Sequence, residues 1–335
     1  MIRRKSVALL ASLLVAGCLT VLVGQPEVNA TPPTDAKLFS ADAWVRTPVP
    51  AGAPVDAASA AGIAFVDAHD PNSYPHIKGI SDSWGMPFAV STCADPVWRF
   101  VGNVQKTNAF LKTEGFHAPA DFADRLTRTS DSPMTVIDTC GVASMPHGLA
   151  VRGHGAVKGR APLTIRVTEG SSFDITSNGL DGRNPESTNP LNRGPRGNIV
   201  GDNLIRNSAV QEGLSGANGG TLGYRPEMFW WETRSADGHV FPMVGHEDGQ
   251  SGWGPEGIII RIKPSWVAPS GCTGPALVIA RTLQVYGAII GDNAGKGGSG
   301  MKAEQGNPMP GMSETMLGAC MTWNDMEFVQ RGWRP

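Results

Sequence analysis

Asp138, Asp174, Glu232, Glu256 and Asp292 each adjoin a strand end or an aromatic residue. Paired carboxyl groups do acid–base work on glycosidic bonds, about 5–5.5 Å apart for retention and roughly 6.5–9.5 Å apart for inversion. Asp174, Glu232 and Asp292 form the candidate catalytic set. Flat indole rings supply a complementary surface, because sugar C–H faces stack on them. Trp230, Trp231 and Trp253 are the candidate platform, with Tyr224, Arg225, Asn178 and His246 as further candidate substrate-binding residues. Successive residues of a strand face opposite ways, so one of Trp230 and Trp231 belongs in the core and the other at a surface or cleft. Asp174 has a plain alternative: to organise its own turn with Ser177 and Asn178. Asp292-Asn293 before Gly295 reads equally well as turn chemistry.

Histidines offer another route. His147 and His154 flank a glycine-rich stretch, and His246-Glu247-Asp248 is a compact polar cluster. Proton abstraction beside a uronate carboxylate needs a base and a neutralising cation or amide, roles open to His246, Tyr224 and Arg225. The spacing of His147, His154 and a distant carboxylate matches no standard metal pattern, so no metal site and no cofactor are expected. Gly297-Gly298-Ser299-Gly300 lacks the strand–turn–helix context of a nucleophile elbow. The glycine run from Gly295 to Gly300 lacks the order of a phosphate-binding loop.

The elements that must hold these residues are short. The chain has 42 Gly and 26 Pro in 335 residues, well above usual shares of roughly 7% and 5%. That composition excludes a helical bundle or coiled coil, and nine Trp with eleven Phe make disorder an unsuitable class. Strand candidates are Met134–Ile137, Leu163–Val167, Met228–Trp231, His239–Phe241 and Gly257–Ile262, each bounded by turn formers. Their spacing points to an antiparallel sandwich or barrel, with no strand–helix–strand rhythm. Apolar residues at Ala276, Ile279, Ala280, Leu283 and Tyr286 predict one amphipathic helix, with Thr273 as N-cap and Gly287 past its end. Shorter helical segments are expected around 103–112 and 116–125. Residues 31–60 read as a Pro/Ala-rich arm outside the core, and 169–223 as a long polar loop region suited to binding.

Arg3, Arg4 and Lys5 ahead of the apolar run Val7–Val23 read as a secretory leader. Two processing sites compete. Val28-Asn29-Ala30 would leave Thr31 as the new N-terminus, whereas Val15-Ala16-Gly17-Cys18 would lipidate Cys18. Cleavage after Ala30 is the expectation, with a secreted product, and lipid anchoring through Cys18 is the alternative. Losing residues 1–30 removes three positive charges and one negative, moving the net charge from −2 to −4. A mildly acidic chain has no basic field for nucleic acid, and no second apolar stretch is long enough to span a bilayer. The remaining Cys93, Cys140, Cys272 and Cys320 suggest two disulfides, paired in sequence order.

Four stretches also form a recognisable set: Phe173–Leu180 with its Asp-x-x-Ser-Asn turn, Glu256–Lys263, Ala280–Gly287 and Ile289–Asn293. Over the C-terminal two-thirds the chain resembles a group of secreted, mostly actinobacterial β-rich proteins. The resemblance implies a jelly-roll-like sandwich and carries no activity with it. The chain departs from the group's pattern at Ser132-Pro133 and Arg225-Pro226, where histidine-bearing motifs would stand. The combined expectation is a mainly β protein, an antiparallel jelly-roll-like sandwich with one or two packed helices. It would recognise, and cleave, a polysaccharide or cell-wall glycan as glycosidase or lyase. The alternative is a non-catalytic envelope or adhesion protein that binds glycan or protein.

Overall fold

In the computed structural model, residues 39–102, 107–127, 131–180, 204–306 and 308–334 are described. The leader, the arm up to residue 38 and residues 181–203 of the polar segment lie outside the described residues. The described part is mainly β, in three sheets. The largest has six strands in the order β1 (His76–Lys78), β13 (Gly300–Lys302), β10 (Glu227–Trp230), β12 (Ala288–Asn293), β11 (Ile259–Ile262) and β14 (Met326–Phe328). A second runs β2 (Phe88–Ser91), β5 (Met134–Asp138), β6 (Leu149–His154) and β9 (Glu169–Asp174). The third runs β4 (Phe116–His117), β3 (Val97–Gly102), β8 (Thr164–Val167) and β7 (Val157–Lys158).

Strand alternation decides how these layers stack. On the second sheet Met134, Val136, Leu149 and Val151 pack against Phe100, Ile165 and Val167 of the third. The intervening residues Ile137, Ala150 and Phe173 face the other way and meet Ile289 of the six-stranded sheet. That large sheet in turn buries Ile77, Met228, Trp230, Ile260, Ile290 and Met301 with residues of three helices. These are α1 (Ser59–His69), α3 (Asn207–Leu214) and α4 (Gly274–Val285); the short α2 (Ala109–Thr113) belongs with the third sheet. The second sheet is therefore a middle layer, covered on both faces.

The α4 helix forms where apolar spacing placed it. Pro275 occupies its first turn, where a missing N–H costs nothing, and Gly287, at φ 69°, makes the left-handed step after Tyr286. Two disulfides, Cys93–Cys140 and Cys272–Cys320, close as sequence order suggested. They suit an oxidising compartment, and no helix of the described residues is long and apolar enough to cross a membrane.

Four expectations need correction. The sheets are mixed, not antiparallel: β1–β13, β10–β12, β2–β5 and β3–β8 are parallel pairs. Parallel pairing needs long connections, and here it joins strands as distant as 76–78 and 300–302, which local spacing cannot announce. His239–Phe241 makes no strand; a single bridge from His239 to Glu256 is all that forms. The described part of the arm is not outside the core: Phe39, Trp44 and Val45 are buried with residues of the second and large sheets, and Val49 and Ala53 with Ile259 and Val329. The polar region is not one loop either: Glu169–Asp174 is strand β9 and Asn207–Leu214 is helix α3.

The Cys272–Cys320 bridge closes a loop across 48 residues and ties the start of α4 to the large core. Replacing both cysteines with serine is expected to lower unfolding free energy by about 2–4 kcal/mol in denaturant melts.

Candidate functional site

On the face of the large sheet opposite its helices, alternation lines up polar residues. Met228 and Trp230 point into the helical core, so Glu227 and Phe229 point toward the second sheet. The pairing of β12 with β10 slips between Met228 and Phe229, which sets Asp292 opposite Phe229 and on the same face. Met301 and Ile77 face the helices, which leaves Lys302 and Lys78 on this side. From the second sheet, Arg152 shares the face of Ala150 and is directed at them. One end of the interface between these layers thus gathers Lys78, Lys302, Glu227, Asp292 and Arg152.

A cleft of about 300 Å³ opens at this end, lined by Lys78, Lys302, Trp84, Phe229, Asp131 and Asn293, with Gly297 and Gly298 as one wall. Each part of the rim is fixed locally. Asp82 accepts the backbone N–H groups of Gly79 (2.7 Å) and Trp84 (2.9 Å), a side-chain-built turn that presents the Trp84 indole. Trp84 is 46% exposed, a large aromatic left in solvent at the mouth. Gly298 has φ 80°, and a Cβ there would come within 2.5 Å of the Asn72 amide, so only glycine lets the wall pass. Behind it Asp70 accepts the Ser299 N–H, and Ser299 Oγ accepts the Trp231 N–H at 2.8 Å. Lys78 Nζ donates to the Gly297 carbonyl at 2.9 Å. Asn293 accepts from Thr233 N–H and donates to Glu247, closing the far lip.

Lys302 is a buried cation of this set. Its side chain is 6% exposed and its ammonium lies 4.2 Å from the Phe229 ring centroid. Burial, and after it the charge of Arg152, holds the amine below the ordinary lysine range, against the pull of Glu227, Asp131 and Asp292. His154 is likewise held low by burial and then by Arg152, with Asp131 at 3.9 Å. Among the described residues no group of three or more His, Cys, Asp or Glu could hold a metal ion.

The structure distributes the sequence-derived candidates differently. Trp230 is fully buried, edge-on to Trp323 and Phe328, while its neighbour Trp231 is half-buried, as alternation requires. Trp253 packs against Phe328 at 4.4 Å. Tyr224 is a core residue whose hydroxyl donates to the Leu204 carbonyl at 2.7 Å. Arg225 is buried and donates to the carbonyls of Tyr286, Trp44 and Thr47, a clamp for the N-terminal segment. Burial pushes its guanidinium down to about 9, still protonated at neutral pH. Asp174 caps its own turn through Thr176 N–H and Oγ1, and Asn178 accepts from Leu180 N–H. His246 pairs with His239. Asp138 and Glu256 are fully buried acceptors of backbone N–H groups.

The carboxylate trio is not assembled as one site. Glu232 and Asp292 lie at the same end of β10 and β12, linked through Thr233 and Asn293, but Glu232 Oε1 is held by Ser251. Asp174 pairs with Leu149, whereas the His154 that senses Asp292 is at the opposite end of β6, about 17 Å along the strand. Lys78, Trp84, Asp131, Arg152, Glu227 and Lys302 were not singled out by sequence. Trp84 had a usable signal, an aromatic in the turn-rich run Gly79-Ile80-Ser81-Asp82-Ser83-Trp84-Gly85. Compared with known protein families, curated proteins and solved structures, the chain matches none.

Folded, the Lys302 amine titrates below its ordinary value; in the unfolded chain it keeps the ordinary 10.5. Between its lowered native value and 10.5 the unfolded chain binds more protons, so stability rises with pH across that window. Lys302→Met is expected to remove that rise in denaturant melts taken from neutral pH to 10.5. Parallel curves for the two proteins would show a fully charged native lysine.

Proposed function

We propose that this is an exported protein that recognises a polysaccharide in the cleft beneath Trp84. The observation that carries the proposal is an exposed indole at the mouth of a preformed cleft, above lysine, aspartate and asparagine side chains. An aromatic face takes the C–H side of a sugar ring, and convergent polar groups take its hydroxyls. The chemistry thus remains the one that Trp230, Trp231 and Trp253 suggested, moved to a different tryptophan. Export agrees with the basic, apolar N-terminal run and with two disulfides.

Hydrolysis needs two carboxyls flanking one bond; of the candidate trio only Glu232 and Asp292 share an end of the sheet, and Glu232 Oε1 is taken by Ser251, so recognition is the reading put first. The jelly-roll comparison belongs to the proposal too: the packing of the second sheet on the third is a sandwich, and it supports the likeness only at that level. A non-catalytic envelope protein fits the same cleft, and turnover separates the two.

The experiment is affinity electrophoresis of the mature protein through gels holding single cell-wall or plant polysaccharides. Reducing ends and absorbance from unsaturated products are followed in parallel incubations. Retardation by at least one polymer is expected. Trp84→Ala should weaken it roughly tenfold with an unchanged melting temperature, because the indole is exposed. Reducing ends alone would add hydrolysis, both signals would add lyase activity, and neither would leave recognition without turnover. No retardation by any polymer, or none lost with Trp84, would end the proposal.

A further inference from the structure

A second hollow, of about 310 Å³, lies between the loop that follows β11 and the turn that leads into β14. Lys263, Ser265, Trp266, Pro269, Asn324 and Asp325 line it. It is far from the Trp84 cleft. Strand β11 runs antiparallel to β12, so Lys263 follows β11 at the Ala288 end of β12, whereas Asn293, which lines the cleft, is at the other end. The length of β12 alone separates the two by about 17 Å.

The walls of this hollow are fixed before any ligand arrives. Gln284 of α4 donates through Nε2 to the carbonyls of Lys263, Pro264 and Trp266, at 3.4, 3.2 and 3.0 Å, so one side chain clamps the loop. The Trp266 indole packs on the large core, and its Nε1 donates to the Cys320 carbonyl at 3.2 Å. Cys320 is itself held by its bridge to Cys272. Lys263 Nζ donates to the Asn324 carbonyl at 2.6 Å and ties one wall to the other. Walls held this way lose little freedom on binding.

The groups left open define the ligand. Trp266 is half-buried and its N–H is taken, so what it offers the hollow is apolar ring surface. Asp325 Oδ2 accepts the Thr322 N–H and hydroxyl, which leaves Oδ1 open. Among the described residues the Ser265 hydroxyl and the Asn324 amide make no hydrogen bond. An indole surface is thus bordered by a hydroxyl, an amide and a carboxylate oxygen. Such a set takes the C–H face of a sugar ring together with its hydroxyls. The ammonium of Lys263 is engaged by a carbonyl while Asp325 keeps a negative oxygen at the hollow, so an uncharged ring is favoured over an anionic one.

We propose that this hollow is a second glycan site, which holds a neutral sugar ring on Trp266 with its hydroxyls on Ser265, Asn324 and Asp325. The site requires nothing from the Trp84 cleft.

The test compares the mature protein with its Trp84→Ala variant, which disables the first cleft, in affinity electrophoresis. The gels hold xylan, galactomannan, hydroxyethyl cellulose or polygalacturonate. Retardation of the Trp84→Ala protein by at least one neutral polymer is expected, about fivefold or more above that by polygalacturonate. Adding Asn324→Ala should weaken it about fivefold with an unchanged melting temperature, because that amide bonds nothing in the protein. Adding Trp266→Ala should abolish it, in a chain that melts lower for loss of core packing. Retardation of the parent but not of Trp84→Ala overturns this site and leaves the first cleft standing. Retardation that Trp84→Ala leaves at full strength and Asn324→Ala lowers keeps this site and ends the first. Residual retardation that Asn324→Ala does not lower, or that polygalacturonate alone produces, overturns this site. No retardation of either protein overturns both.

Discussion

Burial of the four-stranded sheet β2-β5-β6-β9 on both faces is the constraint from which the other features follow. Every residue of β5 is buried, and so are Leu149 to Gly153 of β6. A strand covered on both sides has no solvent face on which to place polar residues. Its odd and even positions serve two different cores: Val136 and Val151 toward the third sheet, Ile137 and Ala150 toward the first. Each such aliphatic side chain contributes roughly 1.5–3 kcal/mol when fully buried, so a slip of one residue would sacrifice both cores at once. Register is accordingly fixed, and with it the position of any charged residue on these strands.

Arg152 is one such charged residue. It follows Ala150 on the inward face, at the end of β6 where the apolar contact among Ile137, Ala150, Phe173 and Ile289 gives out. Beyond that contact the large sheet presents Glu227, Lys302 and Asp292 in place of aliphatic side chains. Burial raises the cost of each charge and strengthens each attraction. The same low-dielectric setting that holds Lys302 toward its neutral form makes the unmatched donors of Arg152 expensive.

The aromatic residues divide by the same logic. Trp230, Trp323 and Phe328 are edge-on partners in the largest core, where indoles serve as volume. Trp84 is on a turn that Asp82 builds from two backbone N–H groups, outside any core. Its exposure is a consequence of that turn. Arg225 shows the structural use of a cation by contrast: three carbonyls take its donors and it locks residues 44–47 to the end of α4.

Local chemistry was legible in the sequence. Short runs between turn formers marked β5, β8, β10 and β11, helical spacing with Pro275 and Gly287 marked α4, and cysteine order gave both disulfides. The Asp174 turn was also readable, because an aspartate caps the N–H two residues on wherever the chain allows it. What tertiary structure alone decided was which strands become neighbours. Parallel partners such as β1 and β13 are separated by most of the chain, and no local pattern encodes that distance. The cleft depends on this pairing: it draws Lys78 and Trp84, Asp131, Phe229 and Lys302 from four separate segments. Each of these residues looks ordinary in its own stretch of sequence, and its surroundings exist only after two sheets have closed on each other.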